Sequence, residues 1–474
     1  MDLLRWPVVG PFLRWRHART SLQLVLLAAA VVIVLHGLVG PDLASTNLAT
    51  VLTWVHYRGL LVVALLAAGN LFCLGCPLVR VRDWGRQLHM PRRAWPARLR
   101  GKWIGVALFA AVLLTYELFD LWALPAATAW LVLGYFAAAV VVDLTFRGAS
   151  FCQYVCPVGQ FNFVASTVSP LELRMRDANT CRTCRTADCV SGRKAPAGDT
   201  ALRPRVVQRG CELGLFMPAK VGNLDCTFCL DCVQACPHDN IALASRVPGA
   251  ELADDRRRSG IGRLVDRVDL AALVVVFSFG ALLNAFLMVA PAQALQGWME
   301  HDWGLSRASV LALLFGAGLV VLPFGLLGAA AFSTRALTGD GAPPGLVVRR
   351  FVMSLVPLAT GVWAAHYGFH LLTGLFVVVP ITQNAVLDLT GAPWLGWPFW
   401  RWTGLRPGSV FPLQAGLVLL GAFGSVAVVQ ATAERDYGAR MWRAAAPWLM
   451  LTTLLAMTAL WILFQPMQMR GMGP

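Results

Sequence analysis

The chain has 474 residues, of which 57% are hydrophobic and only 14% are charged, and its mean hydropathy is +0.61. This composition excludes an ordinary soluble domain and is typical of a membrane protein with several spans. The net charge of +15 is then explained by arginines at the cytoplasmic ends of membrane helices, so no nucleic-acid partner is predicted.

Nine apolar runs predict nine transmembrane helices, because each run has roughly the 20 residues that a helix needs to cross ~30 Å of hydrocarbon. The predicted spans are Ser21–Val39, Leu48–Phe72, Trp103–Trp122, Ala126–Phe146, Val268–Ala290, Ala308–Phe332, Phe351–Val379, Leu413–Thr432 and Ala446–Phe464. Four of them precede a polar, cysteine-rich insert and five follow it. The sequence therefore predicts a mainly α, polytopic membrane protein in three parts: a four-helix membrane unit (1–146), the insert (147–267) and a five-helix membrane unit (268–474).

The arginines are distributed unevenly between the predicted loops, and this asymmetry predicts the orientation of the protein. If the N-terminus is cytoplasmic, the same side holds the basic N-terminal segment, the arginine-rich loop after the second span and the insert. An odd number of spans leaves the C-terminus outside. We expect a multi-pass protein of a bacterial inner membrane that keeps its first apolar run as a span, because that run is too long for a cleaved signal peptide.

Two similar cysteine motifs follow the second and fourth spans. They read Phe72-Cys73-Leu-Gly-Cys76-Pro77 and Phe151-Cys152-Gln-Tyr-Val-Cys156-Pro157. Both motifs fall on the same side of the membrane, so their four thiolates suffice for a cluster at the membrane surface. The alternatives are two redox-active dithiols, or cysteines that only pack. Cysteine arithmetic favours the cluster, since the other eight cysteines fill two sites and all twelve fill three.

The insert contains two more cysteine motifs. The first, C-x2-C-x4-C, consists of Cys181, Cys184 and Cys189, and Cys211 stands alone after it. The second, C-x2-C-x2-C-x3-C-P, consists of Cys226, Cys229, Cys232 and Cys236. This second spacing is typical of the [4Fe–4S] clusters of bacterial ferredoxins, whereas a zinc site needs only two C-x2-C pairs.

In two-cluster ferredoxins the fourth cysteine of each motif binds the other cluster. By that logic Cys181, Cys184, Cys189 and Cys236 form one set, and Cys226, Cys229, Cys232 and Cys211 form the other. Cys189 and Cys211 could exchange these roles. The segment Ser191–Arg209, which is rich in Gly, Pro and Arg, is predicted to be a loop between the two halves of the domain.

A four-helix membrane unit with two F-C-x2/3-C-P corners, followed by a two-cluster ferredoxin domain, resembles the NapH/NosR-type membrane polyferredoxins over roughly residues 20–245. The resemblance implies electron transfer that is linked to quinol or to the maturation of another complex. This chain differs in having two residues, not three, between the cysteines of its first corner. Its C-terminal half, Val268–Pro474, has no counterpart in the short members of the family, and nothing resembles the periplasmic flavin domain of others.

The C-terminal half has one polar feature of note, His366-Tyr-Gly-Phe-His370, which places two histidines one helical turn apart on one face. Such a pair inside a span suits hydrogen bonds to neighbouring helices, a contact with quinone or an axial ligand of haem b, and these alternatives stay open. A haem would need a second histidine, and His36 and His56 are candidates. Asp143 and Asn284 are polar groups inside spans that suit either a proton path or helix packing.

Three other polar features have simpler interpretations. Asn70 is predicted to be a local helix cap. The triplet Arg256–Arg258 is predicted to anchor the topology or to contact phospholipid. The arginines near the first insert motif form either a solvated face or a landing site for an acidic redox partner; they are Arg174, Arg176, Arg182 and Arg185.

The sequence thus predicts an electron-transfer subunit of a quinone-linked oxidoreductase complex, with two or three [4Fe–4S] clusters. The expected donor is a cytosolic ferredoxin or an iron–sulfur/flavin dehydrogenase subunit, and the expected acceptor is quinone or a cytochrome. No acid–base pair or nucleophile is present in a catalytic pattern, so no catalytic residue is predicted. Two alternatives stay open: a maturation factor that uses the corner cysteines as metal- or thiol-reducing groups, and a redox-driven ion-translocating subunit.

Overall fold

The computed structural model describes residues 1–195 and 206–467. The predicted α class is confirmed, because the chain is 70% helix and 5% strand. The α-helices of the described residues are α1 (Val9–Arg14), α2 (Ala18–Val39), α3 (Leu48–Val51), α4 (Arg58–Ala68), α5 (Leu71–Leu74), α6 (Pro77–Leu88), α7 (Trp103–Leu118), α8 (Pro125–Thr145), α9 (Pro157–Ala165), α10 (Ala178–Thr183), α11 (Asp188–Ser191), α12 (Asp231–Ala235), α13 (Val268–Phe286), α14 (Ala290–Asp302), α15 (Arg307–Gly316), α16 (Leu322–Thr338), α17 (Pro344–Phe351), α18 (Leu355–Thr373), α19 (Val378–Thr390), α20 (Pro407–Tyr437) and α21 (Met441–Phe464).

Shorter elements complete the described fold. Single π-helical turns are Leu52–Tyr57, Phe151–Val155 and Ala317–Val321. The 3₁₀ turns are Leu3–Arg5, Ala44–Thr46, Ala97–Leu99, Ser166–Val168, Met217–Ala219, Ala250–Ala253, Leu264–Asp266, Val352–Ser354 and Gly438–Arg440. The strands are β1 (Leu171–Met175), β2 (Arg193–Lys194), β3 (Val206–Gln208) and β4 (Ile241–Ser245).

The predicted loop Ser191–Arg209 is structured at both ends, where β2 and β3 pair antiparallel. Its middle, residues 196–205, lies outside the described residues.

Seven helical segments of the described chain are long and apolar enough to cross a membrane. They are Ala18–Val39, Leu48–Ala68, Pro125–Thr145, Val268–Phe286, Arg307–Thr338, Pro344–Thr373 and Pro407–Phe464. The last segment has 58 residues and contains two helices, α20 and α21. The chain therefore has the composition and the helix lengths of a multi-span membrane protein, while the count of nine spans and their orientation stay predictions.

Several helices end earlier than the hydropathy pattern predicts. The helix of the second predicted span ends at Ala68, because Gly69 takes a left-handed backbone conformation with φ of +74°. The third, α7, has only 16 residues and stops shortly before Asp120, whose φ is +45°. At ~1.5 Å per residue this helix is shorter than ~30 Å of hydrocarbon. Hydropathy does not register such backbone breaks, since leucine and alanine continue on either side of them.

The described chain folds as two compact units that are each assembled from separate segments. The first unit consists of Met1–Leu27, Ala64–Lys102 and Ala138–Arg267. The second unit consists of Ala28–Val63, Trp103–Ala137 and Val268–Pro474, of which residues up to 467 are described. The predicted division at 146 and 267 into three consecutive domains stays a prediction, as does the ferredoxin-like domain.

A two-stranded sheet organises the first unit. Strand β1 pairs antiparallel with β4 in the register Leu173↔Leu243, which brings the two ends of the insert together. Leu171 and Leu173 alternate with more exposed residues on β1, as expected for a strand with one buried face. The N-terminal residues add to this sheet, since the Ser245 N–H donates to the carbonyl oxygen of Met1 at 3.0 Å.

Small residues allow two helices of the second unit to approach closely. A Cβ atom added to Gly421 of α20 would lie 2.6 Å from the carbonyl oxygen of Pro357 in α18, and one added to Gly424 would lie 3.0 Å from the Pro357 side chain. The N–H of Leu358 donates to Ser425 Oγ at 3.0 Å across the same contact. Small residues at such crossings are typical of membrane helix pairs, where close packing takes the place of the hydrophobic effect.

We expect Gly421→Ala to destabilise the protein by about 1–3 kcal/mol, because the new methyl group would force the two helix backbones apart. The measurement is the unfolding temperature of the detergent-purified protein. Gly416→Ala is the matched control, since Gly416 lies on the same helix with no atom within 4 Å of an added Cβ. Equal unfolding temperatures for the two variants would contradict this account of the helix contact.

Candidate functional site

All twelve cysteines lie within the described part of the first unit, and all are free thiols. The twelve cysteines form three sets of four, and the electrostatic interactions between their thiols occur within each set. The corner set is Cys73, Cys76, Cys152 and Cys156. The pocket set is Cys181, Cys184, Cys189 and Cys236. The central set is Cys211, Cys226, Cys229 and Cys232. These are the sets that the motif spacing predicts, although their role as cluster ligands stays a prediction.

The two corners share one local structure at their second cysteine. Cys76 and Cys156 are the N-cap residues of α6 and α9, and Pro77 and Pro157 occupy the first helical turn. Proline is favoured there because its fixed φ suits a helix and its missing N–H has no intrahelical partner. In the second corner the Gly159 N–H donates to Cys156 Sγ at 3.2 Å. Each Cys-Pro step therefore places a sulfur at a helix N-terminus, where backbone dipoles favour negative charge.

The corners differ by one residue, and the backbone absorbs that difference locally. The first corner is a single α-helical turn, Leu71–Leu74, and the second is a π-helical turn, Phe151–Val155. The Cys156 N–H donates to the Phe151 carbonyl at 2.8 Å to close the wider turn. A π turn accommodates one extra residue inside a helical segment and is common at functional sites. The shorter spacing of the first corner therefore leaves both cysteine pairs able to meet in one set.

The corner thiols are buried against one another. Burial raises the pKa of Cys156 to about 12. Burial also raises the pKa of Cys73, and the thiols of Cys76 and Cys156 raise it further. The Asn162 side-chain amide donates to Cys73 Sγ at 3.4 Å, which joins the second corner to the first. A thiolate in this set needs a bound cation, because burial otherwise keeps the proton on sulfur.

Pairing of β1 with β4 brings the pocket set together. The chain leaves β1 towards Cys181 and enters β4 from Cys236, and these strand ends lie opposite each other in the register Met175↔Ile241. Asn240 fastens this junction: its side-chain amide donates to Cys181 Sγ at 3.3 Å, and its backbone N–H donates to Cys236 Sγ at 3.4 Å. The four cysteines line one pocket, together with Pro237 and His238.

The central set is built on unusual backbone conformations. Asp225, Phe228 and Leu230 have φ values of +60°, +51° and +62°, in the left-handed region that residues with side chains rarely adopt. Alternation of right-handed and left-handed residues turns successive N–H groups toward one point and makes an anion-binding nest, which is frequent at iron–sulfur sites. Ala187 and Asp239, with φ of +48° each, lie beside the cysteines of the pocket set.

A buried ionic cluster holds the segment that leads into the central set. The Glu251 carboxylate accepts the Asn223 N–H at 2.7 Å and pairs with Arg246 at 2.7 Å and Arg258 at 3.1 Å. The Asn223 amide donates to the carbonyl oxygen of Leu171 at 2.7 Å, next to the sheet. These bonds fix the chain three residues before Cys226, so the cysteine loop starts from a defined position.

Hydrogen bonds link the central set to the pocket set and to the segment that leads into the first corner. On one side, the Cys211 N–H donates to the Cys189 carbonyl at 2.9 Å, and the Cys236 N–H donates to the Cys232 carbonyl at 3.2 Å. On the other side, the Asn70 amide donates to the Cys226 carbonyl at 3.0 Å. In the described chain no hydrogen bond joins a cysteine of the pocket set to one of the corner set. The central set is therefore linked by hydrogen bonds directly to the pocket set and, through Asn70, to the segment that leads into the first corner.

Two of these bridging residues were not predicted from the sequence. Asn70 occupies the predicted cap position, as the N-cap residue of α5, but its side chain makes no capping bond and instead reaches the Cys226 carbonyl. Lys102 is buried, pairs with Asp225 at 2.6 Å and donates to the Gln153 carbonyl at 3.1 Å. It thereby joins the residue before Cys226 to the residue after Cys152. The only sequence signal for Lys102 was its place at the end of a basic loop.

Buried charges surround the corner and central sets. Arg82 is 1% exposed and pairs with Glu212 at 2.8 Å and Asp83 at 2.9 Å. Arg19 pairs with Asp231 at 2.6 Å, beside Cys232. Although burial alone would raise the pKa of Glu212, the charges of Arg82 and Arg19 lower it to about 2. Glu212 follows Cys211 directly, so these arginines compensate negative charge next to the central set.

Asp143, which the sequence offered for a proton path, belongs to the same ionic network. Its carboxylate lies 3.6 Å from Arg82 and accepts the Phe151 N–H at 2.8 Å. These contacts fix the start of the second corner and favour the packing alternative.

The donor sets have the number of ligands that [4Fe–4S] clusters need. Each offers four thiols, N–H donors reach the sulfurs of Cys73, Cys156, Cys181 and Cys236, and nearby cations offset negative charge. Among residues 1–195 and 206–467, no group of three or more His, Cys, Asp or Glu side chains is arranged to hold a single metal ion. In a cubane each thiolate binds a different iron, so its four sulfurs surround a larger volume than the ligands of one ion.

The histidine pair lies in the second unit. His366 and His370 are buried on α18, with ring centroids 5.1 Å apart and ring planes at 83°. The candidate partners are engaged elsewhere: His36 Nδ1 accepts the Leu48 N–H at 3.1 Å, and both ring nitrogens of His56 lie 3.3 Å from carbonyl oxygens. These bonds favour packing for His36 and His56, while a haem or a quinone at His366 and His370 stays a prediction.

The arginines near the pocket set divide into two kinds. Arg176 is mostly buried and pairs with Asp2 at 2.9 Å and with Asp239 at 3.2 Å, so it has a structural role. Arg174, Arg182 and Arg185 are exposed, and the last two lie next to Cys184 in the sequence. These three arginines remain suited to docking an acidic partner.

No protein-family model matches the chain, and no curated protein or solved structure was found to be similar to it. The resemblance to NapH/NosR-type polyferredoxins stays a prediction that rests on the cysteine motifs.

We expect Lys102→Met to destabilise the protein by about 3–5 kcal/mol, because it leaves the Asp225 carboxylate buried without its partner. Adding Asp225→Asn should restore part of the loss, since asparagine removes the charge and tolerates a positive φ. The measurement is the free energy of unfolding of the wild type, of each single variant and of the double variant. Lys194→Met is the matched control, because Lys194 is exposed on β2 and should change stability by less than about 0.5 kcal/mol. Purely additive effects would mean that the pair does not act as a unit.

Proposed function

We propose that the protein is a membrane electron-transfer subunit whose corner, central and pocket sets each bind one [4Fe–4S] cluster. The observation that supports the proposal is the grouping of twelve cysteines, drawn from separate segments of the chain, into three sets of four in one compact unit. When bound, such clusters carry single electrons at potentials that depend on charge, hydrogen bonds to sulfur and solvent exposure.

The residues of the first unit have distinct tasks in this proposal. The cysteines hold the clusters, while Asn162, Asn240 and the Gly159 N–H donate to sulfur and stabilise its negative charge. Lys102 and Asn70 keep the corner set next to the central set. In the proposed relay, the central cluster passes electrons between the other two.

Accessibility suggests where electrons enter. Cys184 of the pocket set is partly exposed, and hydrogen bonds from the Ala187 N–H and from Thr186 lower its pKa. The corner cysteines are more deeply enclosed and directly follow apolar helices in the chain. A cytosolic ferredoxin or dehydrogenase subunit would therefore deliver electrons at the pocket set, and the corner set would serve quinone or a cytochrome. The proposed location is a bacterial inner membrane, with the first unit's cysteine domain in the cytoplasm.

The maturation alternative requires corner cysteines that react as dithiols. Thiol–disulfide chemistry depends on an accessible thiolate with a lowered pKa. Burial raises the pKa of Cys73, Cys76, Cys152 and Cys156 instead. The geometry therefore favours cluster ligands over reducing dithiols. The ion-translocation alternative is not favoured either, because its candidate carboxylate, Asp143, is engaged in structural contacts.

Anaerobically purified protein should contain about twelve irons and about twelve acid-labile sulfides per chain. Cys73→Ser, Cys181→Ser and Cys226→Ser should each lower the iron content by about four, because each removes one ligand from a different set. Chemical analysis of iron and sulfide, with electron paramagnetic resonance of the reduced proteins, makes the measurement.

The three variants serve as controls for one another, since each should lose a different cluster signal. An iron content of about eight per chain in the wild type, unchanged in Cys73→Ser, would contradict a cluster at the corner set and favour the maturation alternative. Zinc in place of iron would refute the proposal altogether.

Loss of the pocket-set cluster should uncouple the protein from a large donor. We expect Cys184→Ser to slow the reduction of the remaining clusters by reduced ferredoxin, while dithionite, which is small, still reduces them. Stopped-flow absorbance follows both reactions. Unchanged reduction by ferredoxin would place the entry point at another set.

A further inference from the structure

The segment between α6 and Lys102 presents both positive charge and apolar side chains to the outside. Arg92, Arg93, Arg98 and Arg100 are exposed, and none of the four forms an ion pair with any residue that the structure describes. Residues 89–101 contain no acidic residue. Interleaved with the arginines are Leu88, Met90 and Leu99, which are 92%, 70% and 45% exposed. We call residues 88–101 the basic segment.

The basic segment is held in place by its own aromatic residue. Trp95 stacks on Tyr154 with ring centroids 5.2 Å apart and meets Phe146 edge-on at 4.9 Å. The Trp95 indole N–H donates to the Leu99 carbonyl at 2.8 Å, and the Arg147 N–H donates to the Arg93 carbonyl at 2.9 Å. The arginines are therefore displayed by an anchored turn, which lowers the entropy lost on binding a ligand.

The other arginine-rich stretch of this unit, Arg256–Arg258, behaves differently. Arg258 is buried on Glu251, and Arg256 pairs with Asp254 at 2.6 Å. The predicted phospholipid contact is therefore not favoured for these two arginines, whose charges are satisfied within the protein. The charges of the basic segment have no such internal partner, so an external anion is the remaining way to compensate them.

We propose that the basic segment binds the head groups of anionic phospholipids, with Leu88, Met90 and Leu99 entering the adjoining acyl region. Guanidinium groups bind phosphate through paired hydrogen bonds. Basic side chains gain electrostatic energy near an anionic leaflet, and exposed apolar neighbours add burial in the interface. The apolar helix α7 begins at Trp103, directly after the segment, so the chain passes from these arginines straight into an apolar helix.

The apolar side chains decide between possible anions. Free phosphate would satisfy the arginines but would leave Leu88 and Met90 in water. A phospholipid offers a phosphate group to the arginines and an adjoining acyl region to the apolar side chains. This proposal does not depend on iron. Lipid binding can therefore fail while the proposed electron-transfer function stands, and electron transfer can fail while lipid binding stands.

The test is a titration of the detergent-purified full chain with phosphatidylglycerol or phosphatidylcholine, with bound lipid counted by native mass spectrometry. We expect tighter binding of phosphatidylglycerol by the wild type. The variant R92Q/R93Q/R98Q/R100Q should bind it about tenfold more weakly or worse. Leu88→Ser with Met90→Ser should weaken the binding of both lipids. Added NaCl should reduce the preference, because exposed charges are screened by salt.

The matched control is R182Q/R185Q/R256Q/R257Q, which removes four exposed arginines from other parts of the same unit. It should keep the affinity of the wild type for phosphatidylglycerol. Size-exclusion profiles and unfolding temperatures establish that each variant is folded, and R98Q/R100Q, with half the charge change, should lose an intermediate amount of affinity. Equal weakening by the control, or no weakening by the first variant, overturns the proposal and leaves an acidic protein as the alternative partner. Competition by millimolar inorganic phosphate, without a preference between the two lipids, would identify free phosphate as the ligand.

Discussion

Buried sulfur is the constraint on which the first unit depends. A cysteine that binds iron must lose its proton, yet burial in protein opposes the charged form. In the proposed function, the buried and partly buried cysteines of the first unit therefore require nearby groups that compensate negative charge. The structure provides helix N-termini at Cys76 and Cys156, amide donors at the sulfurs and buried cations beside the loops. Without compensation of this kind, the folded state would have to keep these sites protonated and without iron.

The compensation also explains the unusual backbone of the cysteine loops. Left-handed conformations at Asp225, Phe228 and Leu230 each oppose the normal preference of a residue with a side chain. They persist because the surrounding bonds determine the path of the chain: Lys102 holds Asp225, and Glu251 holds the segment just before it. Backbone strain and charge compensation at the central set therefore depend on the same hydrogen bonds and ion pairs.

Cysteine spacing carried most of the information about the candidate site. The rule that the fourth cysteine of each motif serves the other cluster predicts the sets that the thiols form, apart from the choice between Cys189 and Cys211, which spacing leaves open. Pairing of β1 with β4 is what brings Cys181 and Cys236 together. Spacing could not reveal Asn70, Lys102 or Arg82, since a single polar residue has no periodic pattern and its partner lies far away in sequence. Hydropathy predicted the apolar helices but overestimated α7, because it does not sense the positive φ at Asp120.

Net charge illustrates the same difference between composition and structure. The sequence has 40 basic and 25 acidic residues, and a count alone assigns the excess to membrane topology. The structure contains two groups of arginines, one paired with carboxylates inside the protein and one exposed to solvent. Arg19, Arg82 and Arg258 are enclosed with carboxylates, where losing one partner would leave a buried charge at high cost. The arginines of the basic segment are exposed and make no ion pair in the described chain, so their positive potential reaches outward and falls off within a Debye length. In the proposal of lipid binding, the ligand is an anionic head group that lies within that range. Position along the chain, and not the number of charges, therefore determines which arginines stabilise the fold and which remain available to a ligand.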